Sequence, residues 1–214
     1  MLNTVEKQGY FIVLEGIDGA GSTTQAEFLQ DYFLKKDQKV IISPEPSNGK
    51  IGKLLREFLG HQNPFPNQDL YDQQMAYLFA ADRHYHLYNN IDGVKKLTAE
   101  NTHIITTRYY FSSLAYNAKT EKEFEFVSLL NKDFPPPDFL IYLDIPVDVA
   151  LKRIIDRGIL EIYETKEKLT QVKNNFERIL NNYPYNYLRI DATKSREEIH
   201  QKIIDFLFPS IKKY

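Results

Sequence analysis

Short runs of consecutive apolar residues alternate along this chain with longer stretches in which apolar residues recur every three or four positions. Tyr10-Phe11-Ile12-Val13-Leu14 contains no charged position, the pattern of a strand covered on both faces. Behind it, Ala26, Leu29, Tyr32 and Phe33 recur at helical spacing, with Asp31, Lys35 and Lys36 as polar positions. Val40-Ile41-Ile42 predicts a second strand. The periodicity then predicts a long helix over about Asp69–Asn90 and a shorter one near Val94–Glu100. His103-Ile104-Ile105-Thr106-Thr107, rich in β-branched residues, reads as a third strand, and Phe139-Leu140-Ile141-Tyr142-Leu143, introduced by Pro135-Pro136-Pro137, as a fourth. Helices follow at Val147–Arg157 and Leu169–Leu180, then a weaker fifth strand at Tyr187-Leu188-Arg189-Ile190. Ser195 and Glu198 have capping-box spacing ahead of a last helix bearing Ile199, Ile203, Phe206 and Leu207.

Strands that alternate with helices imply an α/β fold with a five-stranded parallel sheet and helices on both faces. Ligands of such sheets bind beyond the carboxyl ends of the strands. That rule gathers Glu15–Thr24, Ser43–Pro46, Thr107–Tyr116 and Asp144 around one cleft. Neither an internal repeat nor a low-complexity linker divides the 214 residues, so a single domain over 1–214 is expected. A formal net charge of -2 gives no global basic field, which argues against nucleic acid or an anionic membrane as partner. A polyanionic ligand must be held by local groups. The absence of cysteine excludes disulfides and thiolate metal sites. No apolar stretch approaches the roughly 20 residues needed to span a bilayer, and Met1–Lys7 lacks the form of a secretory signal, so a cytoplasmic location is expected.

The most informative segment follows the first strand. Gly16-Ile17-Asp18-Gly19-Ala20-Gly21-Ser22-Thr23 has the spacing G-x-x-x-x-G-K-[ST], with serine where lysine belongs. A strand precedes it and a helix follows at once, the context such a loop needs. Glycines let the backbone turn its N–H groups inward, and a helix N-terminus adds partial positive charge. The segment from Gly16 to Thr24 thus predicts a phosphate cradle, with the Thr23 hydroxyl available to Mg²⁺. An ordinary glycine-rich strand–helix turn is the plainer alternative. Loss of the lysine removes a cation of the kind that, as an arginine acting on the same charge, is worth roughly 10³–10⁵ in rate.

Segments beyond the loop carry a resemblance. Glu15-Gly16-Ile17-Asp18-Gly19-Ala20-Gly21 with Thr23-Thr24-Gln25 resembles the opening of thymidylate kinases, and Glu45-Pro46-Ser47 with Ile51-Gly52 and Arg56 is similar to their next motif. Phe79-Ala80-Ala81-Asp82-Arg83 matches the family's F-A-A-D-R. Arg108-Tyr109 with Ser112-Ser113-Leu114-Ala115-Tyr116 resembles D-R-Y-x-x-S-S-x-A-Y, and Pro137-Asp138 with Leu143-Asp144-Ile145-Pro146 resembles the strand before the lid. The resemblance implies a three-layer P-loop kinase fold with a mobile lid at about 153–168. It also implies transfer of the γ-phosphoryl group of ATP to dTMP with Mg²⁺, and a homodimer. Carried over residue by residue, Phe79 stacks on the base, Arg83 and Ser113 read its edge, and Arg108 grips the monophosphate. Tyr116 excludes a 2′-hydroxyl, and Asp18 faces the sugar hydroxyl and the phosphates. Glu45 joins the substrate-binding set, Arg153 and Arg157 cover the transferring phosphate, and Tyr163 closes on the base.

Four positions depart from the family pattern: Ser22 for lysine, Thr107 for the aspartate before Arg108, Pro44 for arginine, and Glu161-Ile162-Tyr163-Glu164, which lacks the lid arginine. All touch the phosphates or the lid. They motivate an alternative, a catalytically impaired relative that binds nucleotides as a sensor or scaffold. Arg153, Arg157, Lys50 and Lys53 are the cations that could replace the lysine. Asn131-Lys132-Asp133-Phe134 nearly spells the guanine-reading N-K-x-D of small GTPases but ends in phenylalanine. His84 and His86 diverge at i, i+2 on a helix, which argues against a zinc pair. Asp144 reads as a loop or helix-capping group.

Overall fold

The computed structural model describes residues 9–60, 64–156 and 165–211. In chain order the elements are β1 (Phe11–Glu15), α1 (Ser22–Leu34), β2 (Val40–Ile42), α2 (Lys50–Gly60), α3 (Gln68–Tyr88), α4 (Val94–Ala99) and β3 (His103–Thr107). They continue with α5 (Tyr110–Tyr116), α6 (Glu121–Asn131), β4 (Phe139–Asp144), α7 (Val147–Ile155), α8 (Lys166–Asn181), β5 (Leu188–Asp191) and α9 (Arg196–Ile211).

The strands form one parallel sheet in the order β2-β3-β1-β4-β5. β1 lies at its centre, with Phe11 opposite Ile104 of β3 and Ile12 opposite Phe139 of β4. Every residue of β1 is buried, so both faces of the sheet are covered, as the unbroken apolar run requires. Because the chain leaves β1 toward β2 and β3 and later returns to β4 on its other side, the carboxyl end of β1 is the switch point at which a crevice opens. Asp138 fixes the register at the opposite, amino end of β1. Its carboxylate accepts the Phe11 N–H at 2.7 Å while its own N–H donates to the Phe11 carbonyl at 3.0 Å.

All five expected strands are present, with ends shifted by about a residue. Three helices lie outside the expected set. α2 carries Ile51, Leu55, Phe58 and Leu59 at helical spacing, with Leu55 fully buried. α5 is a seven-residue helix inside the segment read only as cleft-lining. α6 opens on a full capping box between Thr120 and Glu123. The capping box expected at Ser195 and Glu198 is formed in both directions, at 3.2 and 3.0 Å. Asp144 caps no helix. It closes β4 and pairs with Lys173 at 2.7 Å and with Arg189 at 2.6 Å, while α7 starts at Pro146 without a side-chain cap. His84 is exposed and His86 buried, so the two rings diverge. No helix among the described residues is long and apolar enough to cross a membrane.

The Thr120 side chain accepts the Glu123 N–H, and Glu123 accepts the Thr120 N–H at 2.8 Å. Thr120→Ala is expected to lower unfolding free energy by about 1 kcal/mol in urea titration, the usual value of an N-cap.

Candidate functional site

The glycine-rich loop read as a phosphate cradle joins β1 to α1. Gly19 and Gly21 have φ of +83° and +99°, the left-handed region that glycine enters without penalty. Gly19 is doubly constrained, since a Cβ there would sit 2.6 Å from the Ala150 carbonyl oxygen. The Gln25 N–H donates to the Gly21 carbonyl at 3.1 Å as the first bond of α1. The N–H groups of Ser22, Thr23 and Thr24 therefore precede the intrahelical ladder and lack an acceptor within it. No acidic residue stands in the first turn to compete with an anion. Such a helix start fits phosphate oxygens. The exposed Thr23 hydroxyl fits a divalent cation that keeps most of its oxygen ligands from phosphate and water. No cluster of three or more His, Asp or Glu able to hold a metal occurs among the described residues.

Of the cations expected near the loop, Arg153 braces its backbone: Nη1 donates to the Gly19 carbonyl at 3.3 Å and Nη2 to the Ala192 carbonyl at 3.0 Å. Lys50 and Lys53 are exposed on α2. Arg157 and Tyr163 lie outside the described residues.

Across the crevice, Arg108 sits in the turn between β3 and α5 with φ of +74°, an uncommon conformation for a residue with a Cβ. Its Nη2 donates to Asp18 Oδ1 of the phosphate loop. The Tyr116 hydroxyl donates to Asp18 Oδ2 at 2.7 Å and accepts the Asp18 N–H at 3.0 Å, and the Tyr116 ring lies 4.8 Å from the guanidinium carbon. Burial pulls against the charged guanidinium, but Asp18 and its neighbours more than offset it, so the Arg108 pKa lies above the usual arginine value. Burial also pushes the Tyr116 hydroxyl up, which keeps it a donor.

A second ion pair lies deeper. Arg83 of α3 binds Glu45 Oε2 through Nη2 at 2.7 Å and through Nε at 2.9 Å, with both side chains almost wholly buried. Arg83 Nη1 donates to Asn131 Oδ1 and Nη2 to Ser113 Oγ at 3.1 Å. The rings of Tyr109 and Phe134 lie 5.3 and 5.7 Å from its guanidinium carbon. Glu45 is held on its other side by His86 Nδ1 at 3.1 Å, and His86 Nε2 meets Ser43 Oγ at 2.7 Å. Asp82, next to Arg83, accepts the Ser47 N–H and hydroxyl, both at 2.6 Å. Arg56 donates to the carbonyls of Ser47 and Pro46 at 2.8 and 2.6 Å. Consecutive α3 side chains thus clamp the segment Glu45–Ser47.

These groups line one cleft of about 300 Å³, at the lower end of small-molecule sites. Asp18, Glu45, Phe79, Arg83, Arg108, Ser113 and Tyr116, all named from the sequence, border it. Phe79 is half-buried, with its ring at the cleft wall. Asn117 also borders the cleft, and its buried Nδ2 has no hydrogen-bond partner among the described residues. Sequence reasoning passed over Asn117 and the chemistry of Glu15, and met Asn131 only as the start of a near N-K-x-D. Asn117 carries no motif of its own, whereas Glu15 stood in plain view at the head of the loop motif.

The thymidylate kinase family model matches residues 14–203, which include the phosphate loop, both ion pairs and the cleft. The chain belongs to the thymidylate kinase family. It is 39% identical to a probable thymidylate kinase of Methanococcus aeolicus over 91% of this chain and 93% of that one. It is 36% identical to one of Pyrococcus horikoshii over 92% and 95%. A thymidylate kinase of Akkermansia muciniphila is 33% identical over 97% of both chains. Among solved structures, a thymidylate kinase of Candida albicans superposes with a TM-score of 0.78 at 23% identity, covering 95% of this chain and 92% of that one. That likeness is one of fold.

Within this family fold, Arg83 supports as well as borders the cleft. Arg83→Met removes one partner of a buried pair and leaves Glu45 uncompensated, which is expected to cost about 3–5 kcal/mol in chemical denaturation.

Proposed function

We propose that the protein transfers the γ-phosphoryl group of ATP to dTMP, giving dTDP. The observation that carries this reading is the facing of Asp18, on the phosphate loop, with Arg108, on the wall of a cleft that also holds Phe79 and Tyr116, in a chain of the thymidylate kinase family. ATP phosphates lie on the N–H groups of Ser22, Thr23 and Thr24, and the dTMP phosphate replaces Asp18 as a partner of Arg108. A guanidinium suits that role because its planar fork matches phosphate oxygens. Phe79 stacks on the thymine ring, an attraction of about 1–3 kcal/mol for a base on an aromatic side chain. Asn117 Nδ2, buried without a partner, offers the base carbonyl a donor. Ser113 and Arg83 border the same end of the cleft. Tyr116 fills the space beside the sugar and is held there by Asp18.

The Thr23 hydroxyl would hold Mg²⁺, which would supply neutralisation of phosphate charge. The chain's own residues align donor and acceptor; no covalent enzyme intermediate is needed. Arg157 and Tyr163 belong to the lid in this reading. A homodimer is part of the proposal, supported by exposed Leu70, Tyr77, Tyr85 and Tyr88 on α3.

A coupled assay with ATP, Mg²⁺ and each common nucleoside monophosphate tests the reading. dTMP is expected to have the highest kcat/KM, with ribonucleotides well below their deoxy counterparts; inactivity on all of them would sink it. Asn117→Leu is expected to raise KM for dTMP by about tenfold, the order of one lost hydrogen bond to a buried group. Ser22→Lys is expected to raise kcat about tenfold or more, since a cation on the transferring phosphate is worth several powers of ten. An unchanged kcat means that another cation already serves the loop.

A further inference from the structure

We propose that Glu15 is the positioning residue for the phosphate-gripping Arg108, and that it is kept buried there at a cost in stability. The proposal rests on the dTMP kinase reading and adds to it a residue that touches neither nucleotide. Glu15 ends β1 and is 1% exposed. Its Oε1 accepts the Tyr109 N–H at 2.7 Å and the Ser112 N–H at 3.3 Å, while its Oε2 accepts the Ser112 hydroxyl at 2.6 Å. Tyr109 follows Arg108 directly, and the Arg108 N–H donates to the Leu14 carbonyl at 3.0 Å. The peptides on either side of the left-handed Arg108 are therefore both tied to the end of β1.

The side chain is set by the same carboxylate. With its proton committed to Glu15, the Ser112 hydroxyl presents a lone pair that accepts Arg108 Nη1 at 3.3 Å. An ionised Glu15 accepts all three donors with no proton of its own to place, whereas a protonated one brings a fourth hydrogen into a site of donors. A glutamine turned with its N–H₂ toward Ser112 would take away the acceptor of the hydroxyl proton, and the hydroxyl would no longer be held in the orientation that meets Arg108.

Burial opposes that ionised form. The polar groups facing Glu15 are Arg108 from the β3–α5 turn, Tyr109, Tyr110 and Ser112 from the start of α5, and Tyr142 opposite it on β4. Desolvation outweighs the hydrogen bonds and Arg108, and the Glu15 pKa is raised from 4.5 to about 7. A carboxyl raised in the folded state contributes stability that is fully present below its unfolded pKa and is lost as pH rises through the folded one. Glu15 therefore destabilises the fold at the pH where it best positions Arg108.

The test compares wild type with Glu15→Gln and Ser112→Ala, by steady-state kinetics and by urea unfolding across pH. At about pH 8 the glutamine variant is expected to show KM for dTMP raised about tenfold, with KM for ATP within about twofold. The wild-type to variant ratio of kcat/KM for dTMP, from which the substrate's own ionisation cancels, is expected to fall toward one below about pH 7. In urea the variant is expected to be more stable than wild type at about pH 8, the difference disappearing toward about pH 5. Ser112→Ala should give the same dTMP-selective loss, less than additive with Glu15→Gln. An unchanged KM for dTMP overturns the proposal. So does a parallel loss of both KM values with reduced stability at about pH 8, the signature of a purely structural carboxylate. Wild type inactive on dTMP overturns the function and the role together; an active wild type with an unaltered variant overturns only the role.

Discussion

Arg56, Arg83 and Arg108 all border the cleft, but among the described residues only the guanidinium groups of Arg83 and Arg108 are paired with carboxylates there, and much of the local architecture follows from that pairing. Removing a charge from water costs several kcal/mol unless a partner and further hydrogen bonds take over. Arg83 receives Glu45, Asn131, Ser113 and two aromatic rings, and neither it nor Glu45 is more than marginally exposed. Arg108 receives Asp18, with side chains 29% and 21% exposed. The difference in burial divides their roles. A pair sealed on all sides cannot trade its partner for a ligand at small cost, whereas a pair open to solvent can. Arg83 therefore fixes the wall, and Arg108 is the group a phosphate can claim.

That division explains why the segment Glu45–Ser47 is clamped so heavily. Asp82, Arg83 and His86 stand on one helix and hold Ser47 and Glu45. Arg56, from the helix that follows the segment, satisfies two of its carbonyls. A loop carries backbone groups that a helix or sheet would satisfy internally, so each must find a partner among side chains if the loop is to hold one shape. Asp82 and Arg83 of α3 thus act on the loop, and through it on the cleft.

The sheet was legible because parallel strands buried on both faces read as unbroken apolar runs, and β1, β3 and β4 are such runs. α1 and α3 were legible by periodicity. α2 and α6 were readable too: Ile51, Leu55 and Phe58 lie on one face, and Thr120 with Glu123 spells a capping box. Their neighbouring motifs drew attention instead. α5 was hidden for a physical reason, since a seven-residue helix spans too few turns for periodicity to rise above a loop. Cleft-lining residues were legible as far as family motifs reach. Asn117 was not, nor was the contact of Asn131 with Arg83 behind the cleft, because a buried amide acts through where it points. Arg153 illustrates the opposite limit. Its type suits a phosphate, yet its side chain here braces the carbonyls of Gly19 and Ala192.

The same contrast bears on the missing lysine. In the proposed reading, the donor end offers the Ser22–Thr24 N–H groups and the helix start, fixed partial charges that bind a resting phosphate as well as a reacting one, beside an Arg153 already engaged by the Gly19 and Ala192 carbonyls. A lysine at position 22 would add a full charge able to follow the phosphoryl group as its charge shifts in transfer. At the acceptor end a full guanidinium is present, preset by Glu15 and Ser112 and balanced by Asp18. Binding and rate are thereby loaded onto different ends of the cleft. Uniform interactions lower KM without raising kcat, and only those stronger in the transition state accelerate transfer. In the proposed reading, serine at the donor end consequently bears on kcat more than on nucleotide affinity, while the acceptor wall, dense with satisfied charges, governs which monophosphate is held and how it is turned.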